Sequence, residues 1–249
     1  MGAEGAWYAR SGSRLGELYT ILHLPYTSMV LSYVLIGAML SPSIHVDRIA
    51  LTLLAYFLGL GLSAHALNEL HAAHWTKALG KTELTILFLL PLVGALTIGV
   101  YGMFDLYAIT QSVLPSVVLL TLILLEIFFL FSYNTEAFDG RFHSDIWFAF
   151  SWAALPTLIG FFVNTLTMTL GSFLVAFAMA ATAGIEINLS RWCKDFRRRS
   201  TLRELDYSDG TYQSMSTLQL VARPEKALKL IVVVVDLVAI GLIACRFLP

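Results

Sequence analysis

Hydrophobic residues in this chain run in unbroken blocks of helical-span length, separated by short polar stretches. Seven blocks, at roughly 17–40, 47–70, 83–103, 111–132, 143–164, 168–190 and 227–248, meet the requirement of about twenty apolar residues to cross a hydrocarbon core. Runs this long satisfy their backbone groups internally as helices, and the two-residue alternation of a transmembrane barrel is absent. The pattern predicts an all-α, polytopic membrane bundle of about seven transmembrane helices. Residues 1–249 then form a single integral membrane domain. The first sixteen residues are polar and no small-residue cleavage site follows the first block, so that block is expected to remain as a span.

Composition supports the same class. Hydrophobic residues are 57% of the chain and charged residues 13%, against about 25% charged in an average globular protein. A soluble domain of this size has no room to hide so much apolar surface. The formal net charge of −1 gives no pull toward nucleic acid, so none is expected as a partner. The two cysteines, Cys193 and Cys245, are too few and too far apart for a disulfide framework or a thiolate metal site.

Charge distribution predicts orientation. With the N-terminus cytoplasmic, fourteen of the sixteen Lys and Arg fall on the inside and only Arg48 and Arg246 fall outside. Most polar groups then lie in the three inner connections. The longest, about 191–226, ends in Arg223-Pro224-Glu225, which reads as the start of the seventh helix.

Two inner connections share a pattern. At an offset of 117 residues, Glu69 matches Glu186, Trp75 matches Trp192, Lys77 matches Lys194 and Lys81 matches Arg198. Each set follows the second helix of a prospective four-helix half, about 17–132 and about 143–248, as a parallel repeat would place it.

Leu24-Pro25-Tyr26 at the start of span one, Ala64-x3-Asn68-Glu69 at the end of span two, the Gly160 region of span five, and Glu186, Arg191 and Lys194-Asp195 after span six carry a resemblance. In that order they resemble the UbiA superfamily of intramembrane prenyltransferases. The resemblance implies a pseudo-repeat of four-helix halves, with acid motifs after the second and sixth helices that hold magnesium against an isoprenoid diphosphate. The family's first motif runs Asn-Asp-x-x-Asp-x-x-x-Asp, whereas the matching positions here are Asn68, Glu69, Ala72 and Thr76. After Lys194-Asp195 the chain continues Phe196-Arg197-Arg198-Arg199, with Asp206 and Asp209 later.

The resemblance implies that Glu69 and Asp195 would hold Mg2+, with Asn68 orienting the ligands. Lys77, Lys81, Arg191 and Lys194 would neutralise the diphosphate. The same cations also read as anchors on anionic headgroups. Tyr133 matches the place of a site-closing aromatic in the family and equally suits an interfacial aromatic belt. Phe148, Phe150, Phe161 and Phe162 are candidates to line a cavity and stabilise an allylic cation, or to pack the core.

Histidines offer a different chemistry. His65, His71 and His74, with His143, could form a nitrogen-rich metal site, His71 and His74 being the weaker alternative ligands to the acids. Glu126, Glu186 and Asp236 are ionisable groups inside spans and hence candidates by position. The expected function is prenyl transfer from an isoprenoid diphosphate to a membrane acceptor. The alternative is a scaffold of the same fold that has lost catalysis and binds lipid or quinone beside partner subunits in a membrane complex.

Overall fold

The structure, a computed structural model, describes residues 6–10, 12–72, 78–199, 202–206 and 208–248. Among these, seven helices are long and apolar enough to cross a membrane: Arg14–Met39, Val46–His71, Lys81–Thr110, Val113–Asn134, Asp145–Thr165, Leu170–Arg197 and Thr217–Phe247. The protein is a multi-pass, all-α membrane bundle.

Span one is broken into α1 (Arg14–Ile21) and α2 (Leu24–Met39). Span two comprises α3 (Val46–Tyr56), a π-helical segment Phe57–Ala64, and α4 (His65–Ala72). Spans three and four are the uninterrupted α5 (Lys81–Thr110) and α6 (Val113–Asn134). Span five is α7 (Asp145–Ala149), a second π-helical segment Phe150–Ala154, and α8 (Leu155–Thr165). Spans six and seven are α9 (Leu170–Arg199) and α10 (Thr217–Phe247), joined by a hairpin of β1 (Leu202–Asp206) and β2 (Tyr212–Ser216).

Three expectations about the sixth and seventh spans are corrected. Helix α9 runs two turns past residue 190, and the supposed long loop is the end of α9, an antiparallel hairpin with Glu204 opposite Ser214, and the start of α10. At its turn, Asp209 accepts bonds from the N–H and hydroxyl of Thr211 at 2.9 and 2.6 Å, and Gly210 takes φ +81°. Helix α10 starts at Thr217, not at Arg223-Pro224-Glu225. Ser216 caps it by accepting from Gln219 N–H, while Gln219 Oε1 accepts from Ser216 N–H at 2.8 Å. That reciprocal box satisfies the first turn, and Pro224 is carried inside the helix.

The core sits where spans one and five cross. A Cβ built on Gly37 would lie 1.9 Å from the Thr157 carbonyl oxygen, and one on Gly160 would lie 2.1 Å from that of Val34. The contact is reciprocal, each glycine meeting the residue three before the other. Without a hydrophobic drive between helices in lipid, such backbone approach supplies packing that larger residues forbid. Tyr33, Leu155 and Phe162 are fully buried around it.

Polar groups inside the bundle tie its helices together. Asp236 of α10 accepts from Ser28 and Ser32 of α2 at 3.0 and 2.8 Å, which gives this in-span acid a structural role. The two cations of the far end cap helix C-termini, where carbonyls lack partners and the dipole is negative. Arg246 donates to the carbonyls of Met39 and Ser41, and Arg48 donates to that of Val163 while pairing with Asp105 at 3.4 Å.

Candidate functional site

The helix breaks gather at the end of the bundle that carries Arg14, and a chamber of about 130 Å³ lies among them. His23 separates α1 from α2 with φ +44°, a left-handed conformation that side-chain residues rarely hold. Its Nδ1 lies 2.8 Å from the Ile21 carbonyl oxygen, and its ring stacks on that of His65 at 4.1 Å and 11°. His65 follows the first π-helical segment directly, and Trp152 comes from the second, its ring edge-on to His65 at 5.4 Å. π-helical turns of this kind recur at functional sites because they redirect side chains that a regular helix would carry elsewhere.

The N-terminal segment roofs the chamber. Tyr8 packs edge-on against Tyr26 at 5.4 Å and lies 5.3 Å from His23, while Lys229 Nζ sits 5.0 Å over the Trp7 ring. Burial, and then the neighbouring Tyr26 and Glu186, push the Tyr8 phenol well above its ordinary value.

One face of α9 forms the opposite wall, through Glu186, Ser190, Cys193, Lys194 and Arg197. Glu186 is 1% exposed, and its Oε2 has no hydrogen-bond partner among the described residues. Arg197 is paired with Glu225 of α10. Arg191 pairs with Asp145 at 2.7 Å and donates to the Tyr133 hydroxyl at 3.3 Å, which joins spans four, five and six.

Asn68, Tyr133 and Lys194, all expected from sequence, do line this chamber, and Arg191 reaches it through Tyr133. Glu69 is 2% exposed but is not part of the lining, and Asp195 is exposed on another face of α9. Lys81 is exposed at the start of α5, and His71 is exposed near the end of α4. Lys77 and His74 lie outside the described residues. The acid pair expected to hold magnesium is therefore not assembled at the chamber. Among the described residues no group of three or more His, Cys, Asp or Glu is placed to hold a metal ion. The nitrogen-rich site is likewise not assembled there: His143 stacks on Tyr133 at 4.4 Å and its Nδ1 faces the Tyr133 carbonyl, whereas His65 pairs with His23.

Of the candidate phenylalanines, Phe148 lines the chamber and stacks on Trp152 at 5.3 Å, while Phe161 and Phe162 are buried in the core. His23, Trp152 and the Tyr8 roof were not anticipated. For His23 the signal was present, since His23-Leu24-Pro25 places a proline where a helix must restart.

A second cavity, of about 150 Å³, occupies the other half of the bundle among spans two, three and four. Aliphatic side chains such as Leu51, Leu92, Leu96 and Ile123 surround it, and the small residues Ala55, Gly59 and Ala95 leave the space. The two cavities share Leu60, Glu126 and Leu130 as a common wall. There the Tyr56 hydroxyl donates to Glu126 Oε1 at 2.6 Å.

Compared with protein-family models, with curated proteins and with solved structures, the chain matches none.

Proposed function

We propose that the bundle is a UbiA-like intramembrane prenyltransferase, taking an isoprenoid diphosphate as donor and passing its prenyl group to an acceptor in the membrane. The observation that carries this reading is the placement of a polar, cation-bearing chamber end to end with an apolar one. That profile suits an amphiphile with an anionic head and an apolar chain.

In this reading Lys194 and Arg191 compensate the diphosphate, and the Asn68 amide donates to it. The C1–O bond breaks with its electron pair leaving on diphosphate. The rings of Trp152, Phe148 and Tyr133 face the allylic cation that remains. The acceptor's lone pair forms the new bond to C1, and its proton passes to Glu186, a buried carboxylate on the α9 wall of the chamber. Side-chain cations rather than protein acids carry the headgroup charge, so donor binding should survive chelation of magnesium. The polar chamber faces the cytoplasm together with the N-terminus, in keeping with the fourteen-to-two distribution of Lys and Arg.

One observation favours a second reading: neither Glu69 nor Asp195 lines the chamber. The chain would then be a catalytically lost scaffold that binds lipid or quinone next to partner subunits. Radiolabelled geranylgeranyl diphosphate, incubated in nanodiscs with polar lipid extract, separates the two. Label transferred to extract, and reduced at least tenfold by Glu186→Gln with binding intact, supports the enzyme. Saturable binding without transfer supports the scaffold, and no saturable binding refutes the shared site.

A further inference from the structure

The roof of the chamber is a small piece of chain with few ties to the bundle. Residues 6–9 close on themselves as a turn, with the Ala9 N–H donating to the Ala6 carbonyl at 2.9 Å. Among the described residues, the backbone of segment 6–10 is hydrogen-bonded to the rest of the chain at Arg10 alone. There the Thr20 hydroxyl accepts from the Arg10 N–H at 2.8 Å and lies 2.9 Å from the Arg10 carbonyl oxygen. Ring contacts add to this: the Arg10 guanidinium lies 4.5 Å over Tyr19, Lys229 Nζ lies over Trp7, and Tyr8 packs edge-on to Tyr26. Segments held by so few bonds open locally well before the fold is lost.

The element that holds the roof is itself fixed. Ser13 caps α1 by accepting from the Gly16 N–H at 3.1 Å, and Oε2 of the buried Glu17 accepts from the Ala78 and Leu79 N–H groups at 2.9 and 3.0 Å. Between the roof and α1, Gly12 takes φ +97°, and a Cβ built on it would meet nothing within 4 Å. Glycine holds that conformation readily, whereas other residues are strained in it. We infer that residues 6–10 are a lid on the chamber, hinged at Gly12 and latched on Thr20, which opens to admit a ligand from the aqueous end while α1 stays in place. Ala6, Trp7 and Tyr8 line the chamber, and Tyr8 is only 8% exposed, so the lid seats with its aromatic side inward. The inference is independent of what chemistry the chamber performs.

The test reads opening as the rate at which a charged thiol reagent reaches the chamber wall in nanodiscs. Ser190, which lines the chamber beside Tyr26, becomes the reporter as Ser190→Cys in a chain carrying Cys193→Ser and Cys245→Ser. It should react at least about tenfold more slowly than Ser208→Cys in the exposed hairpin turn. Thr20→Val keeps the side-chain shape but strands the Arg10 N–H and carbonyl in the closed state, so it should speed the reaction at least about threefold. Gly12→Ala, which strains the closed backbone, should act in the same direction, and Tyr8→Ala should give at least about tenfold. Ser116→Cys, buried between α5 and α6 at the far end, should gain no reactivity in any of these backgrounds. Ser190→Cys reacting as fast as Ser208→Cys with the roof unaltered would overturn the lid. A rate that Thr20→Val leaves unchanged would overturn the latch, and one that Gly12→Ala leaves unchanged would overturn the hinge. Equal acceleration at Ser116→Cys would also refute the inference, because the whole bundle would then be loosening. If Ser190→Cys fails to fold, the native Cys193, buried in the same wall, is the reporter in a chain carrying Cys245→Ser alone.

Discussion

Replacing Gly37 by alanine adds a single methyl where spans one and five cross, and the geometry makes that methyl expensive. Its carbon would sit 1.9 Å from the Thr157 carbonyl oxygen and 3.0 Å from the Phe161 nitrogen. Ordinary contact begins near about 3.5 Å, so the helices must part by roughly 1.5 Å at this point. The obstacle is backbone, which has no rotamer to change, and Tyr33, Leu155 and Phe162 around it have no solvent to retreat into. Overpacking of this kind costs typically 1–3 kcal/mol, and the upper figure applies where backbone is struck. For a chain of this length about 3 kcal/mol is a fall of roughly 6–12 °C in Tm. Unfolding in mixed micelles, followed by tryptophan fluorescence, measures it. Gly160→Ala should cost a similar amount, and the double variant should cost at least about 1 kcal/mol less than the sum, since one separation makes room for both methyls. Gly241→Ala is the control: no atom lies within 4 Å of its added Cβ, and helix propensity should leave it neutral or up to about 1 kcal/mol more stable. Gly37→Ala within about 0.5 kcal/mol of the original, or strict additivity, would refute the close crossing.

The other predictions concern orientation, a polar tie and the roof. In a chain carrying Cys193→Ser and Cys245→Ser, a cysteine replacing Ser208 should react only from the cytoplasmic side and one replacing Ser43 only from outside; reversed labelling would sink the orientation. Ser32→Ala, which removes one of the two donors to Asp236, should cost about 0.6 kcal/mol, whereas Asp236→Ala removes both bonds, leaving Ser28 the Pro25 carbonyl, and should cost more, as thermal unfolding would show. The folded state holds the Tyr8 proton more tightly than the unfolded state, so stability is full below the ordinary phenol value of about 10 and falls as pH rises through it. Tyr8→Phe should flatten that alkaline loss, and an unchanged slope would remove Tyr8 as its source.

Much of this architecture was legible because a hydrocarbon core imposes length and apolarity on each span, and those are properties of sequence alone. Span boundaries departed from expectation where polar residues form structure beyond that core. Helix α9 continues through Arg191 to Arg199 because charged residues at the membrane surface cost a helix nothing, although they end a hydropathy run. The hairpin had a local signal in Asp209-Gly210, a turn-forming pair, and α10 had one in the Ser216-x-x-Gln219 box. Both were outweighed by Pro224, which looks like a helix start and lies inside one. Asn68, Tyr133 and Lys194 line the chamber, whereas Glu69 and Asp195 do not, because position along a helix does not fix which way a residue faces.

The direction Glu69 faces follows from the π-helical segment that precedes it. Closing turns from i to i+5 inserts an extra residue relative to an α-helix, so every later residue is carried around the axis by one position. Helix α9 has no such insertion, and its stripe of Glu186, Ser190, Lys194 and Arg197 keeps a regular spacing of four and three along the chamber. Span two reaches the chamber through Phe57–Ala64, and presents His65 and Asn68 there in place of Glu69. Deleting one residue of that segment, Leu62, should remove the extra residue and restore α-helical turns, and Asn68 then keeps its place at the chamber. Deleting Leu67 instead, beyond the π-helical turns, should put residue 69 where residue 68 now stands. Both can be read with single cysteines and a charged thiol reagent, in a chain carrying Cys193→Ser and Cys245→Ser. Asn68→Cys should react in the full-length chain and after deletion of Leu62, while Glu69→Cys should react only after deletion of Leu67. A Glu69→Cys that becomes reactive after deletion of Leu62 would mean that the π-helical turns do not carry the extra residue, and the two glutamates at the 117-residue offset would need another reason to face different ways.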